Sequence, residues 1–494
     1  MRCARPETAV PTRIFDRASI GAGGLYIALS IIFLGRRLIS DFAGSYVGRY
    51  ADPTLFIWSI AWWPYALSHR LNPIVTHAIY APVGTNLAWL TTVPLASVLV
   101  WPITAACGPI VSYNLLALLA PASAAWAAYI LCRYLSKSVW PAILGGYVFG
   151  FSPYFLAQTL AGHLHMVLIL PVPIVLYLVA RWFDGALESR KMACLAGLAI
   201  AAQLLLSLEV FATATMFAGL ALLLGFGSAT VDTRQRIVNL VGILACAYGL
   251  ALLIASPFIY YLGGPGHLGG TMRAAEQFSA DMLNLLVPTQ VNALGALGPL
   301  PSLTRIFPGN VFERDAYIGP VLIVLAIVYA RRYWREPFGK VVIDSLLIIC
   351  VLSLGPMLQI GGHRWIALPG YVLAKTPLIN NAVAARFMMF AFLIFCDYHG
   401  AMVRDEQYEF ARQVVRRDAG HIVFIAEPRR PLLAYQVRHS GVFYQWSLQE
   451  VSGARRKRTR HPLRALWQQH ALAGSKRILL PHGGRMDRSI AGGI

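Results

Sequence analysis

The stretch from residue 192 to residue 227 admits few folds, because about 36 successive positions carry a single formal charge, Glu209. As one α-helix it would be about 54 Å long, against roughly 30 Å for the hydrocarbon core of a bilayer. It is therefore expected to fold back as a membrane hairpin with Glu209 at the tip. The remainder agrees: 57% of residues are hydrophobic, 13% are charged and the mean hydropathy is +0.58, too apolar for a soluble core of this size. An all-α fold is expected, a polytopic membrane helix bundle.

Charge sets the topology. Arg2, Arg5, Arg13 and Arg17 precede a first span over about 18–35, and the following Arg36-Arg37-Leu38-Ile39-Ser40 offers no cleavage pattern. This predicts a retained signal anchor with residues 1–17 in the cytoplasm. Arg133 with Lys137, Arg181 with Arg190 and Lys191, Arg234 with Arg236, and Arg331, Arg332, Arg335 and Lys340 mark cytoplasmic loops. Between two such loops the chain crosses an even number of times. Residues 139–180 are thus a hairpin with 151–165 outside, Glu209 is outside, and 263–317 is an outer loop carrying Asp281, Glu313 and Asp315.

Residues 36–87 form the first outer loop. Reaching Arg133 inside requires an odd number of crossings, so the apolar run 88–107, with Pro94 and Pro102, is expected to be re-entrant or interfacial. Runs at about 237–262, 318–330, 341–358 and 383–397 bring the total to roughly ten spans within a domain of 18–397. The tail, 398–494, holds 17 Lys/Arg against 7 Asp/Glu, half of the net charge of +20. Attraction to anionic membrane lipids accounts for it without nucleic acid. Gly420 to Ala426 reads as its one strand. Trp58, Trp62 and Tyr65 share a helical face suited to the membrane interface.

The seven cysteines are odd in number and lack CxxC spacing, which speaks against a disulfide framework or zinc site. No phosphate-binding glycine loop, dinucleotide fingerprint or internal repeat is present. Chemistry is left to polar residues on the outer side. Asp52, before Pro53, can act as a general base or simply start a helix; Asp41 is the reserve. His163 and His165 can face one pocket from a loop, holding phosphate or a metal, or can be interfacial histidines. Glu209 is costly at its depth unless paired or wet. Glu313 and Asp315 can hold a sugar or end a solvated loop. Arg386 can grip a phosphate or snorkel to the interface. Arg36, Arg37, Arg49 and Arg70 break the charge rule and are further candidates for phosphate.

A first span, a long outer loop with Asp52-Pro53 and Asn72-Pro73, interfacial helices, then Ser152-Pro153-Tyr154 and Gly162-His163-Leu164-His165 in a second outer loop resemble the glycosyltransferase C superfamily. That group includes protein O-mannosyltransferases, aminoarabinose transferases and oligosaccharyltransferases, which use sugars carried on polyprenyl phosphates. The likeness covers about residues 15–395 and is one of layout. It implies a membrane glycosyltransferase moving sugar from a polyprenyl-phosphate donor to a cell-envelope glycan, lipid or protein at the outer face of the bacterial cytoplasmic membrane, with Asp52 as base. Oligosaccharyltransferases carry an acidic pair where this chain has His163 and His165, so cofactor use stays open between none and a divalent metal ion. The other readings are a transporter or flippase of lipid-linked sugars and an inactive relative. Transporters place polar breaks near midplane in matched halves, whereas these polar residues gather on one side.

Overall fold

The computed structural model describes residues 14–36, 38–49, 51–264, 275–376, 379–404 and 435–436. Most of the N-terminus and of the basic tail, including the strand expected at 420–426, lies outside the described residues. In chain order the helices are α1 (Arg17–Ser30, continued by a π-turn over Ile31–Gly35), α2 (Asp52–Ser68), α3 (Pro94–Leu99), α4 (Trp101–Cys107), α5 (Pro109–Ser136) and α6 (Val139–Gly150). There follow α7 (Pro153–Ala161), α8 (Leu164–Val167), α9 (Pro171–Phe183), α10 (Ser189–Leu206), α11 (Leu208–Ser228) and α12 (Val231–Ile254). The series ends with α13 (Ser256–Leu262), α14 (Leu300–Leu303), α15 (Pro320–Tyr333), α16 (Pro337–Ser353), α17 (Gly370–Leu373) and α18 (Met388–Arg404). Strands are confined to two-residue ladders and one hairpin, Met357–Ile360 with His363–Ala367.

Six helical segments are long and apolar enough to cross a membrane, seven if the bent pair α6 and α7 is one span. The chain reads as a multi-pass membrane protein. Run 192–227 breaks into two helices: Ser207 is extended between α10 and α11, and its hydroxyl accepts from Val210 N at 3.2 Å, capping α11. Within 88–107 the chain forms the two short helices α3 and α4. Apolar α15, α16 and α18, of 14, 17 and 17 residues, fall below the length of the six.

The buried axis is α5, where small side chains on one face let neighbours approach. A Cβ on Gly146 would lie 2.5 Å from Ala125 O, and one on Gly150 2.5 Å from Pro121 O. Only glycine lets α6 sit that close. Polar ties define two ends along the roughly 40 Å length of α5. At its start, Asn114 Nδ2 donates to Phe42 O and Ser45 O, Asn114 Oδ1 accepts from Val47 N, and Tyr113 Oη donates to Val47 O, holding the first loop. At its finish, Arg133 meets Asp16 at 2.5 Å and Tyr134 Oη donates to Asp184.

The tryptophans of α2 depart from the interfacial expectation. Trp58, Trp62 and Trp63 are buried with Ile74, Ile79, Leu87 and Phe258, and Trp62 Nε1 donates to Pro73 O at 2.9 Å. The cause is the rest of the first loop, which folds over α2 and is tied down by Asn72 and Asn86 bonding Tyr261 of α13.

Candidate functional site

Ser152 and Pro153 break one apolar stretch into two helices. Ser152 is extended and caps α7 through Phe155 N, and Pro153 supplies a first helical residue that needs no donor. The axis turns by 41°. Gly162 ends α7 at φ +83°, and His163 N reaches back to Gln158 O at 2.9 Å, a Schellman-type turn. That turn lays the His163 ring over Gln158, so Nδ1 stands 2.6 Å from Gln158 Oε1.

Gln158 is fully buried, and its orientation is dictated by what surrounds it. Its Nε2 donates to Phe312 O at 3.3 Å, Glu313 Oε2 at 3.2 Å and Asp315 Oδ2 at 3.0 Å. With three acceptors on that side, its oxygen must face His163, and Nδ1 of the imidazole must carry the proton. The other ring nitrogen is then the variable one. It lies 3.2 Å from Asp52 Oδ2.

Asp52 is the first residue of α2, a favourable place for negative charge. It does not cap the helix, since Ala51 holds that position and no side-chain capping bond forms. Its carboxylate turns to His163 and stays half exposed, whereas the imidazole is only 12% exposed. A tight seam creates the meeting: a Cβ on Gly162 would fall 2.3 Å from Pro53 Cγ, and one on Gly48 2.9 Å from the same atom.

Beneath this pair lies a buried ionic cluster. Arg386, just before α18, donates from Nη1 to Glu209 at 2.9 and 3.1 Å and from Nη2 and Nε to Glu313 at 2.6 and 3.2 Å. Its Nη2 also lies 3.5 Å from His163 Nδ1, whose proton faces Gln158, so this approach is a contact and not a hydrogen bond. These donors are committed to the protein, so Arg386 orders carboxylates here, and direct grip on a phosphate is not what its geometry offers. His165 stacks on Phe56 at 5.5 Å, and its Nε2 lies 3.8 Å from Glu209.

Glu313 and Asp315 sit on a loop segment stapled by Thr289 Oγ1 to Arg314 O and Ala316 N to Asn284 Oδ1. Asp281 has a structural post, accepting from Leu283, Gly361 and Gly362 N. Burial pushes the Glu313 carboxyl upward, but the Arg386 guanidinium outweighs it and holds the group below the usual carboxylate range. For Asp315, burial and then the Glu313 charge act together, and its carboxyl is held well above that range. The two neighbours are therefore shifted in opposite directions, Glu313 toward the ionised form and Asp315 toward the protonated one.

Of the residues picked out in the sequence, seven thus meet: Asp52, His163, His165, Glu209, Glu313, Asp315 and Arg386. Asp41, the reserve candidate, does not join them. Its carboxylate closes its own loop, accepting from Gly44 N at 2.9 Å and Ser45 Oγ at 3.2 Å. Sequence reasoning missed Gln158, whose signal was an amide alone in the apolar stretch 154–161, and the Gly48 and Gly162 seam. Among the described residues no three His, Cys, Asp or Glu side chains are grouped to hold a metal ion. Glu209 and Glu313 are neutralised by a guanidinium instead, so the residues present do not fit a divalent ion.

Residues 25–395 match a family model described as a domain of unknown function, DUF6311. No curated protein and no solved structure matches the chain.

Proposed function

The chain belongs to the DUF6311 family, and we propose that it is a membrane glycosyltransferase moving sugar from a polyprenyl-phosphate donor to a cell-envelope glycan, lipid or protein. Its place is the bacterial cytoplasmic membrane with the site on the outer face. In this reading the chain crosses about ten times, the short helices α15, α16 and α18 joining the six longer segments and the α6–α7 pair.

The observation that carries the reading is the pairing of a half-exposed carboxylate, Asp52, with an imidazole whose proton is fixed from behind by Gln158. Such a pair suits hydroxyl chemistry. Asp52 takes the acceptor's proton as that oxygen bonds to the anomeric carbon, and the bond from that carbon to phosphate breaks. The polyprenyl phosphate leaves with the electron pair. His163 keeps the carboxylate oriented and carries positive charge when Nε2 is protonated, next to where the phosphate departs. The Arg386 cluster holds this geometry and stays out of the bond changes.

Membranes carrying wild type or Asp52→Asn, given radiolabelled polyprenyl-phosphate sugars and a cell-envelope extract, test the reading. Transfer by wild type and a loss of about 10²–10⁴-fold in the variant are expected. Equal transfer by both would remove Asp52 as base, and no transfer by wild type with any donor would favour a transporter.

A further inference from the structure

Arg314 follows the single helical turn Val311–Glu313 at φ −101° and ψ 54°, and its hydrogen bonds run away from those of its neighbours Glu313 and Asp315. The carboxylates turn to Gln158. Arg314 turns into the outer loop and donates to Pro308 O at 3.2 Å from Nε, to Thr304 O at 3.2 Å from Nη1 and to Gly309 O at 2.8 Å from Nη2. All three acceptors are neutral carbonyls. The loop thus supplies hydrogen-bond partners for this half-buried cation and, among the described residues, no compensating charge. Burial alone pushes the guanidinium below its ordinary value, with no acidic neighbour opposing.

Arg314 lines a cavity of about 380 Å³ with Thr289, Gln290, Ser302, Thr304 and Arg305. Arg305 is exposed and makes no hydrogen bond or ion pair among the described residues. Two guanidinium groups and the Ser302 hydroxyl therefore share one concavity, whose volume is within the range of about 300–1,000 Å³ usual for ligand sites. Guanidinium forks match tetrahedral oxyanions.

We propose that this outer-loop cavity is an oxyanion site for a phosphate-bearing ligand, held by Arg305 and Arg314. It is separate from the Asp52–His163 site, lies on the other face of the segment carrying Glu313 and Asp315, and does not depend on the transferase reading. The shared chemistry is a phosphate group, on either a soluble molecule or a lipid headgroup. An occupant would brace the 313–315 segment, so binding raises thermal stability.

The test titrates the purified full chain with inorganic phosphate against chloride at matched ionic strength, following unfolding temperature. A saturable rise specific to phosphate is expected. Arg305→Gln, which breaks no internal contact, is expected to weaken it about tenfold while the unfolding temperature without phosphate stays put. Arg314→Gln should abolish it, though loss of the three carbonyl bonds can loosen the loop, which makes Arg305→Gln the deciding variant. Repeating the titration in nanodiscs with and without phosphatidic acid separates the sources: a headgroup occupant masks the phosphate response in wild type, and a soluble one leaves it unchanged. A response no greater than chloride in both nanodiscs and detergent, or equal affinity in Arg305→Gln, overturns the proposal.

Discussion

Arg386 and Glu313 meet through two contacts, Nη2 to Oε1 at 2.6 Å and Nε to Oε2 at 3.2 Å, with both partners buried. The remaining amino group of the same guanidinium takes Glu209, so one cation joins the start of α18, the loop before α15 and the break between α10 and α11. Arg386→Met would leave Glu313 buried without its charge partner. A loss of about 3–5 kcal/mol is expected, read by unfolding in detergent. Arg386→Lys should recover little, since an ammonium cannot serve two carboxylates as a fork. Wild-type stability in the Met variant would mean the cluster is not closed as described.

Asp315 gives a pH dependence whose sign can be worked out. Its carboxyl is raised in the folded chain by burial and by Glu313. The folded state thus holds a proton that the unfolded state releases near the ordinary value of 3.8. The stability it contributes is full below that value and is lost as pH rises toward the folded one. Asp315→Asn keeps an acceptor for Gln158 and removes the titration. The variant should be more stable at neutral pH and show a flatter profile of unfolding temperature above the ordinary carboxylate range. Glu313 acts oppositely: its depressed carboxyl contributes stability that is lost in acid. A parallel profile for Asp315→Asn and wild type would show that Asp315 is not the group responsible.

Why did seven scattered residues prove to be neighbours? Charge parity put Asp52, His163, Glu209 and Glu313 on one side because a bilayer tolerates carboxylates only at its faces or in pairs. Glu209 stood out as the lone charge in its apolar run, and Ser207 beside it is a helix cap, so that break was legible. Pair geometry was not. Arg386 reads as snorkelling or as phosphate-binding until its partners, 177 and 73 residues away, are known. Gln158 is uncharged and leaves no trace in a charge pattern. The tryptophans of α2 mislead for a related reason: their amphipathic spacing is the same whether lipid or another loop covers them.

The seam between α2 and α7 is open to a comparison of glycines. Gly162 has φ +83° and no room for a Cβ beside Pro53, whereas Gly185 has φ +71° and nothing within 4 Å. Alanine at either suffers the left-handed backbone, worth about 1–2 kcal/mol. Only Gly162→Ala also pushes α2 away, so it should cost more than Gly185→Ala in unfolding and should weaken any activity that needs Asp52 against His163. Equal costs at the two positions would show that the seam is not tight.

The side of the membrane is best tested away from the cluster, because His163, Glu209 and Glu313 are too enclosed for labelling to report topology. Val83, in the first outer loop, is 84% exposed, and Val231, at the start of α12 on the arginine-rich end, is 80% exposed. In a chain whose seven cysteines are replaced by serine, Val83→Cys should react with a membrane-impermeant maleimide in intact cells. Val231→Cys should react only after the membrane is opened. The two positions are coupled through the ends of α5: Asn114 holds the loop before α2, and Arg133 holds Asp16 at the other end. If Val231→Cys labels from outside, the first loop and the whole Asp52 to Arg386 cluster must turn inward with it. A donor on the outer leaflet would then be out of reach of every residue in the site.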